Sequence, residues 1–222
     1  MRNGKTMNAK AKKVDIKLFL YDASRVVLSP CALIFRVKKY DLSGNRTKFS
    51  PVGAKIIASN HVSYSDPFIV FSAFLKRRIF FLASELVMKG KFKSFLLGHA
   101  GCIKIDRGIS DIEAIRKCES VLKDGRIISI FPQGTIDRED KIDETKSGAA
   151  LLAVRTGAKI LPIYTNKRKH FYNRQIVVIG EEIDAHEICA KKFPSVSDLG
   201  KISEILGESI ENCRKTYERI AK

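Results

Sequence analysis

The sequence predicts one α/β domain with a mostly parallel central sheet flanked by helices, preceded by an N-terminal amphipathic helical segment. Three observations carry this. Short β-rich runs recur along the chain with helical periods between several of them, the alternation of an α/β fold. The length, 222 residues, suits a single domain with a terminal extension. The first forty residues hold ten basic and two acidic side chains, a net +8 out of the whole chain's +17. The division is therefore a basic region over residues 1–40 and a folded domain over 41–222.

Within the first region, Ile16, Phe19, Leu20, Ala23, Val26 and Val27 recur at helical spacing and form one apolar face. Pro30 should end or kink that helix. Such a helix can lie on an anionic membrane, where each basic residue near the surface contributes about 1 kcal/mol. It can equally pack on the domain beneath a solvated basic tail. The longest apolar candidate, Leu18 to Val37, is broken by Asp22, Arg25, Pro30 and Arg36, so a spanning helix is not expected.

Strands are expected at Lys55–Ser59, Ile79–Ala83, Gly101–Asp106, Arg126–Phe131, Lys159–Tyr164 and Gln175–Ile179. A helix begins at Ser110, with Glu113 three residues on as a capping box. Its apolar face is Ile112, Ile115, Cys118, Val121 and Leu122, and Gly125 stops it. A second runs from Thr145 to Thr156 before Gly157. The last, about Val196 to Ile220, lines up Leu199, Ile202, Ile205, Leu206, Ile210, Cys213 and Tyr217.

Composition narrows the function. Hydrophobic residues at 45% and charged residues at 29% exclude disorder throughout. Lys and Arg outnumber Asp and Glu by 41 to 24, which points to an anionic partner. Five cysteines without a C-x-x-C spacing argue against a disulfide framework or a metal ribbon. No helix-turn-helix, zinc or RNA-binding signature is present, so nucleic acid is not the expected anion.

Three segments can carry chemistry. In Asn60-His61-Val62-Ser63-Tyr64-Ser65-Asp66-Pro67, a neutral imidazole with an ordinary pKa of about 6.5 can serve as general base. A carboxylate on its other nitrogen would fix the tautomer. On an ideal helix five residues subtend about 500°, so His61 and Asp66 meet only if the chain turns between them. Asp66 before Pro67 also fits a helix N-cap. Arg107 falls on the same face as Ile103 and Ile105 at a strand's end, a place suited to an anion or to an ion pair. In Phe131-Pro132-Gln133-Gly134-Thr135, Gly134 allows close backbone approach and Gln133 and Thr135 offer donors. Lys146, ahead of a helix start, can assist an anion. His61, Arg107 and Gln133 each follow a predicted strand. Parallel strands would bring them to one sheet edge, where such folds bind ligands.

These motifs resemble those of the glycerolipid acyltransferases. The pattern is nearest that of the 1-acylglycerol-3-phosphate (lysophosphatidic acid) acyltransferases. Asn60-His61, four residues, then Asp66 is similar to their first motif, Gly101–Arg107 to their second and Phe131–Thr135 to their third. Ile160-Leu161-Pro162-Ile163 is similar to the fourth, in the same order over roughly residues 45–170. The resemblance implies acyl transfer from an acyl-CoA or acyl-carrier-protein thioester to a glycerol hydroxyl. His61 would be the base and Asp66 its orienting partner, with no cofactor and no metal. It implies an acceptor-phosphate site at Arg107, Gln133, Gly134 and Thr135, helped by Lys146. It also implies a monotopic protein on the cytoplasmic face of an anionic membrane. Phe92, Phe95, Leu96 and Leu97, interleaved with Lys89, Lys91 and Lys93, form a second candidate membrane patch. Two positions depart from the pattern. Gln133 replaces the usual Glu and Ile136 the usual Arg, which leaves open another acceptor or a silent lipid-binding member.

Overall fold

A computed structural model describes residues 16–84, 87–105, 112–134, 147–167, 174–189 and 194–222. In chain order it contains α1 (Ile16–Phe35), β1 (Lys38–Tyr40), β2 (Lys55–Ser59), α2 (Asp66–Ala73), β3 (Ile79–Ser84), α3 (Lys91–His99) and β4 (Cys102–Ile105). There follow α4 (Ile112–Lys123), β5 (Ile127–Ile130), α5 (Gly148–Thr156), β6 (Lys159–Thr165), β7 (Ile176–Ile179), α6 (Ala185–Ile188) and α7 (Val196–Ile220). The strands form one sheet in the order β1-β7-β6-β2-β5-β3-β4. Five central strands, β6 to β4 in that order, are parallel. β7 runs antiparallel to β6, and β1 pairs parallel with β7. The mostly parallel α/β sheet flanked by helices is thus as the sequence predicts.

Alternation along the strands sends side chains to two cores. Ile57, Phe81 and Leu161 meet Ile69, Val70 and Phe74 from the α2 side. Ile56, Ile128 and Ile160 meet Leu122, Ala153, Ile202 and Leu206 from α4, α5 and α7. Burying each large aliphatic or aromatic side chain contributes about 1.5–3 kcal/mol. The centre is buried on both faces, so β5 is buried along its whole length and β2 at every residue after Lys55. Gly125 and Gly157 follow α4 and α5 with φ of 72° and 71°, as the stop signals required. The described cysteines Cys102, Cys118, Cys189 and Cys213 are free thiols.

Helix α1 departs from expectation in two ways. It runs five residues past Pro30. The proline cannot bond the Val26 carbonyl, and the Ser29 hydroxyl donates to that oxygen at 2.8 Å instead. Its outward and inward faces are also distinct. Val26 and Val27, 73% and 77% exposed, belong to the stripe that periodicity picks out, and Ile34 is exposed beyond it. The side that packs on the domain carries Tyr21, Arg25 and Phe35. The Tyr21 hydroxyl donates to Ile79 O at 2.7 Å and accepts from Ile79 N–H at 2.9 Å, and its ring stacks on Phe80. Burial pushes that phenol up to about 12. Asp22 pairs with Arg78 and Arg25, and Arg25 also donates to the Leu75 carbonyl. The polar residues that interrupt the apolar run therefore hold α1 to the domain. Gly101 opens the way for this contact, since a Cβ there would lie 2.3 Å from the Tyr21 ring.

Other differences are local. β1 has no signal in the sequence, because Lys38-Lys39-Tyr40 shows no apolar alternation. It is recruited by β7, through Lys38 opposite Ile176. α6 is a single turn. Ile112 is 60% exposed, while Ala114 takes its place in the α4 core. Phe95 on α3 is 64% exposed, and the side chains of Phe92, Lys93 and Leu96 in the expected patch lie outside the described set.

Candidate functional site

The β2–α2 turn is built around two buried polar side chains. Asn60, just past β2, ties that strand to the end of β6. Its Oδ1 accepts from Thr165 N–H at 2.8 Å and from Thr165 Oγ1 at 3.3 Å, and its Nδ2 donates to Thr165 O at 3.0 Å. Asp66 is wholly buried. One oxygen, Oδ2, receives His61 Nδ1 at 2.9 Å, Val62 N–H at 2.7 Å and Ser63 N–H at 2.8 Å. Oδ1 is buried without a partner among the described residues.

The chain does turn between His61 and Asp66, and Asp66 N–H closes the turn on Ser63 O at 3.2 Å. Asp66 is not the N-cap. Ser65 occupies that position and Asp66 is the first residue of α2, with Pro67 behind it in the first turn. The carboxylate is turned back onto the loop because two loop amides and the imidazole offer it donors there. A carboxylate only accepts, so Nδ1 carries the proton and Nε2 is the basic nitrogen. The ring stacks on Phe131 at 4.3 Å and 23°, which limits its rotation. The His61 side chain keeps 15% of its surface exposed.

Gln133 reaches this turn from the end of β5. Its Oε1 accepts the His61 backbone N–H at 2.9 Å. Gly134 N–H donates to Phe131 O at 2.9 Å, and Gly134 sits at φ 70°, where other side chains are strained. The third sequence motif thus braces the first. The bond uses an amide oxygen, and a carboxylate oxygen would serve equally, so it needs no charge at this position. The roles of Phe131 and Thr165 beside His61 and Asn60 have no local signal. They come from chain segments about 70 and 105 residues away.

Arg107, Thr135 and Lys146, together with Ile136, lie outside the described residues. The strands that lead to the motifs are described. β2, β4 and β5 are parallel members of the sheet, so their C-terminal ends share one edge. A cavity of about 400 Å³ lined by Asp41, Phe49, Ile179 and Glu182 touches the fourth motif at Leu161 and contains neither His61, Asp66 nor Gln133.

A buried Asp holding a His at the C-terminal edge of a parallel sheet has the parts that general-base transfer or hydrolysis requires. Residues 43–166 match the acyltransferase family, and the chain belongs to it. The chain is 29% identical over 128 residues to a 1-acyl-sn-glycerol-3-phosphate acyltransferase of Borreliella burgdorferi. That match covers 55% of this chain and 49% of the relative, so the chain spans about half of its length. A Bacillus subtilis protein of the same description is 24% identical over 207 residues, covering 91% of this chain and 98% of that one. The fold is also that of a crystal structure of the 1-acyl-sn-glycerophosphate (LPA) acyltransferase PlsC from Thermotoga maritima. The TM-score is 0.59 and the identity 19%, over 93% of this chain and 88% of the other.

Proposed function

We propose that this protein transfers a fatty acyl chain from an acyl-CoA or acyl-carrier-protein thioester to the free hydroxyl of 1-acylglycerol-3-phosphate, giving phosphatidic acid. The observation that carries the reading is the 2.9 Å contact between His61 Nδ1 and a fully buried Asp66. His61 Nε2 takes the hydroxyl proton as the oxygen attacks the thioester carbonyl carbon. The tetrahedral adduct then collapses, the C–S bond breaks and the departing sulfur takes the proton back from the imidazolium. Asp66 stabilises the imidazolium, and a positioned base of this kind supplies typically ~10²–10⁴-fold. No covalent acyl-enzyme is involved. Arg107, the Gln133–Thr135 segment and Lys146 receive the acceptor's phosphate.

A lysolipid acceptor enters from a bilayer, and the reading places the protein on the cytoplasmic face of an anionic membrane as a monotopic protein. The exposed Val26, Val27 and Ile34 of α1, with Phe68 and Phe95, support an apolar contact surface. No helix among the described residues is long and apolar enough to cross a membrane.

The test offers lysophosphatidic acid, glycerol 3-phosphate and a neutral lysolipid separately, with both donor types, and identifies products by mass spectrometry. Phosphatidic acid from wild type and none from a folded His61→Ala supports the reaction and its base. Acylation of glycerol 3-phosphate alone moves the acceptor, in keeping with Ile136. No product from any acceptor, with binding to anionic vesicles retained, replaces the enzyme with a silent lipid-binding scaffold.

A further inference from the structure

Three cations stand where β1 and β7 begin, and a fourth lies across the end of β1. Arg36 links α1 to β1, Lys38 opens β1, and Arg174 precedes β7 by two residues. Arg46 lies near β1, because its neighbour across an isolated bridge is Tyr40. Backbone bonds close the group. Gln175 N–H donates to Phe35 O at 3.1 Å and Lys38 N–H to Gln175 O at 2.8 Å. Repulsion from Arg174, with desolvation and then Arg46 and Arg36 adding to it, holds the Lys38 ammonium below the usual lysine range. Among the described residues no carboxylate pairs with any of the four. Elsewhere Arg78, Lys55, Arg155, Lys159 and Arg214 each hold an acid. Like charges facing one another destabilise a sheet edge. Arg36 in addition sits at φ 45°, a conformation that non-glycine residues seldom take. Repulsion and backbone strain kept together at one point suggest a bound anion.

The cluster shares an edge with His61. Ser59 of β2 faces Ile163 of β6, and Thr165 of β6 faces Val177 of the antiparallel β7. The start of β7 therefore lies beside the end of β6. At ~4.8 Å per strand, Lys38 on β1 stands three strands, or ~14 Å, from β2. Pantetheine is built like an extended peptide of about four to five residues and reaches ~15 Å.

We propose that Arg36, Lys38, Arg46 and Arg174 bind the phosphate that ends the pantetheine arm of the acyl donor, so that the thioester reaches His61. The inference rests on the acyl-transfer reading. The phosphate belongs either to coenzyme A or to the phosphoserine link of a carrier protein.

The test is a calorimetric titration, without acceptor or turnover, of the full chain with coenzyme A, dephosphorylated pantetheine and a phosphopantetheinylated carrier protein. Wild type is compared with Lys38→Gln/Arg174→Gln and with Arg36→Gly, which removes a cation while relieving the backbone. The expected result is coenzyme A or carrier affinity about tenfold lower in both variants. Pantetheine binding is unchanged and the melting temperature is no lower in Arg36→Gly. Which of the two donors shows the loss assigns the source. Equal donor affinity in wild type and variants overturns the proposal. So does a loss confined to sedimentation with anionic vesicles, which would make the cluster a lipid-phosphate contact. Donor binding through the cluster without acyl transfer sinks only the catalytic reading. Acyl transfer with an unchanged donor KM in both variants sinks only this site.

Discussion

The β2–α2 turn and the β1–β7 edge lie at the same end of the sheet and treat charge in opposite ways. In the turn, one buried carboxylate oxygen is surrounded by three donors, the His61 ring and two backbone amides. At the edge, no carboxylate among the described residues pairs with any of the four cations, and one of them occupies a left-handed backbone conformation. A polar group saturated by its own protein is a positioning device, because its remaining interactions are internal. Polar groups left repelling one another lower their free energy only when an anion arrives. On the proposed reading, the first region would aim a base and the second would recruit a charged substrate.

The largest effects are expected at the turn. His61→Ala should lower acyl transfer by ~10²–10⁴-fold while the fold is kept, as read by product mass spectrometry and thermal melting. Asp66→Asn places an amide among three donors. It should cost ~10²–10⁴-fold in kcat and about 1–3 kcal/mol in a urea titration. A variant that keeps full activity would remove the orienting role of the carboxylate. Gln133→Ala should lower kcat roughly tenfold by loosening the His61 backbone, whereas Gln133→Glu should retain activity. If Glu fails as badly as Ala, the amide does something besides accept that bond. Asn60→Ala should cost about 1–3 kcal/mol, because Thr165 N–H loses its acceptor in a buried place.

The smallest effect belongs to the docking of α1. The Arg78 guanidinium beside Asp22 holds its carboxyl below the usual carboxylate range. A depressed acid stabilises the fold above its unfolded value of about 3.9, and the contribution is lost as pH falls through the folded value. Loosening of α1 should therefore follow acidification below about pH 4, and Asp22→Asn should remove that dependence. The pair is partly exposed, so the change in stability should stay within ~1 kcal/mol. Tyr21 adds the opposite limb. Its raised phenol favours the folded state below pH ~10, and that contribution disappears as pH rises toward 12. Hydrogen exchange along α1 measures both limbs.

Much of this architecture is legible from residues near in sequence. Strands β2 to β7 announce themselves because their apolar runs have to be buried whichever neighbour they find. α7 is equally clear, since seven apolar positions fall on one side of a 25-residue helix. His61 and Asp66 are visible as chemistry, and the resemblance to an acyltransferase motif follows from their spacing. β1 is illegible because a three-residue strand of mainly charged side chains becomes a strand only by pairing with β7. Pro30 misleads because the hydroxyl beside it replaces the missing hydrogen bond.

The sequence alone determined the layered α/β class, the sheet's apolar strands and the residue types able to activate a hydroxyl. Such information resides in periods of two and of 3.6 residues, which need no distant partner. That Asp66 turns back to His61 rather than capping α2 comes from tertiary packing. It alone put Gln133 against a backbone amide 72 residues away and showed which side of α1 holds the domain. It also brought four scattered cations to one edge. Those outcomes depend on strand order and register, which are settled by the joint packing of the whole chain and are encoded in no single segment.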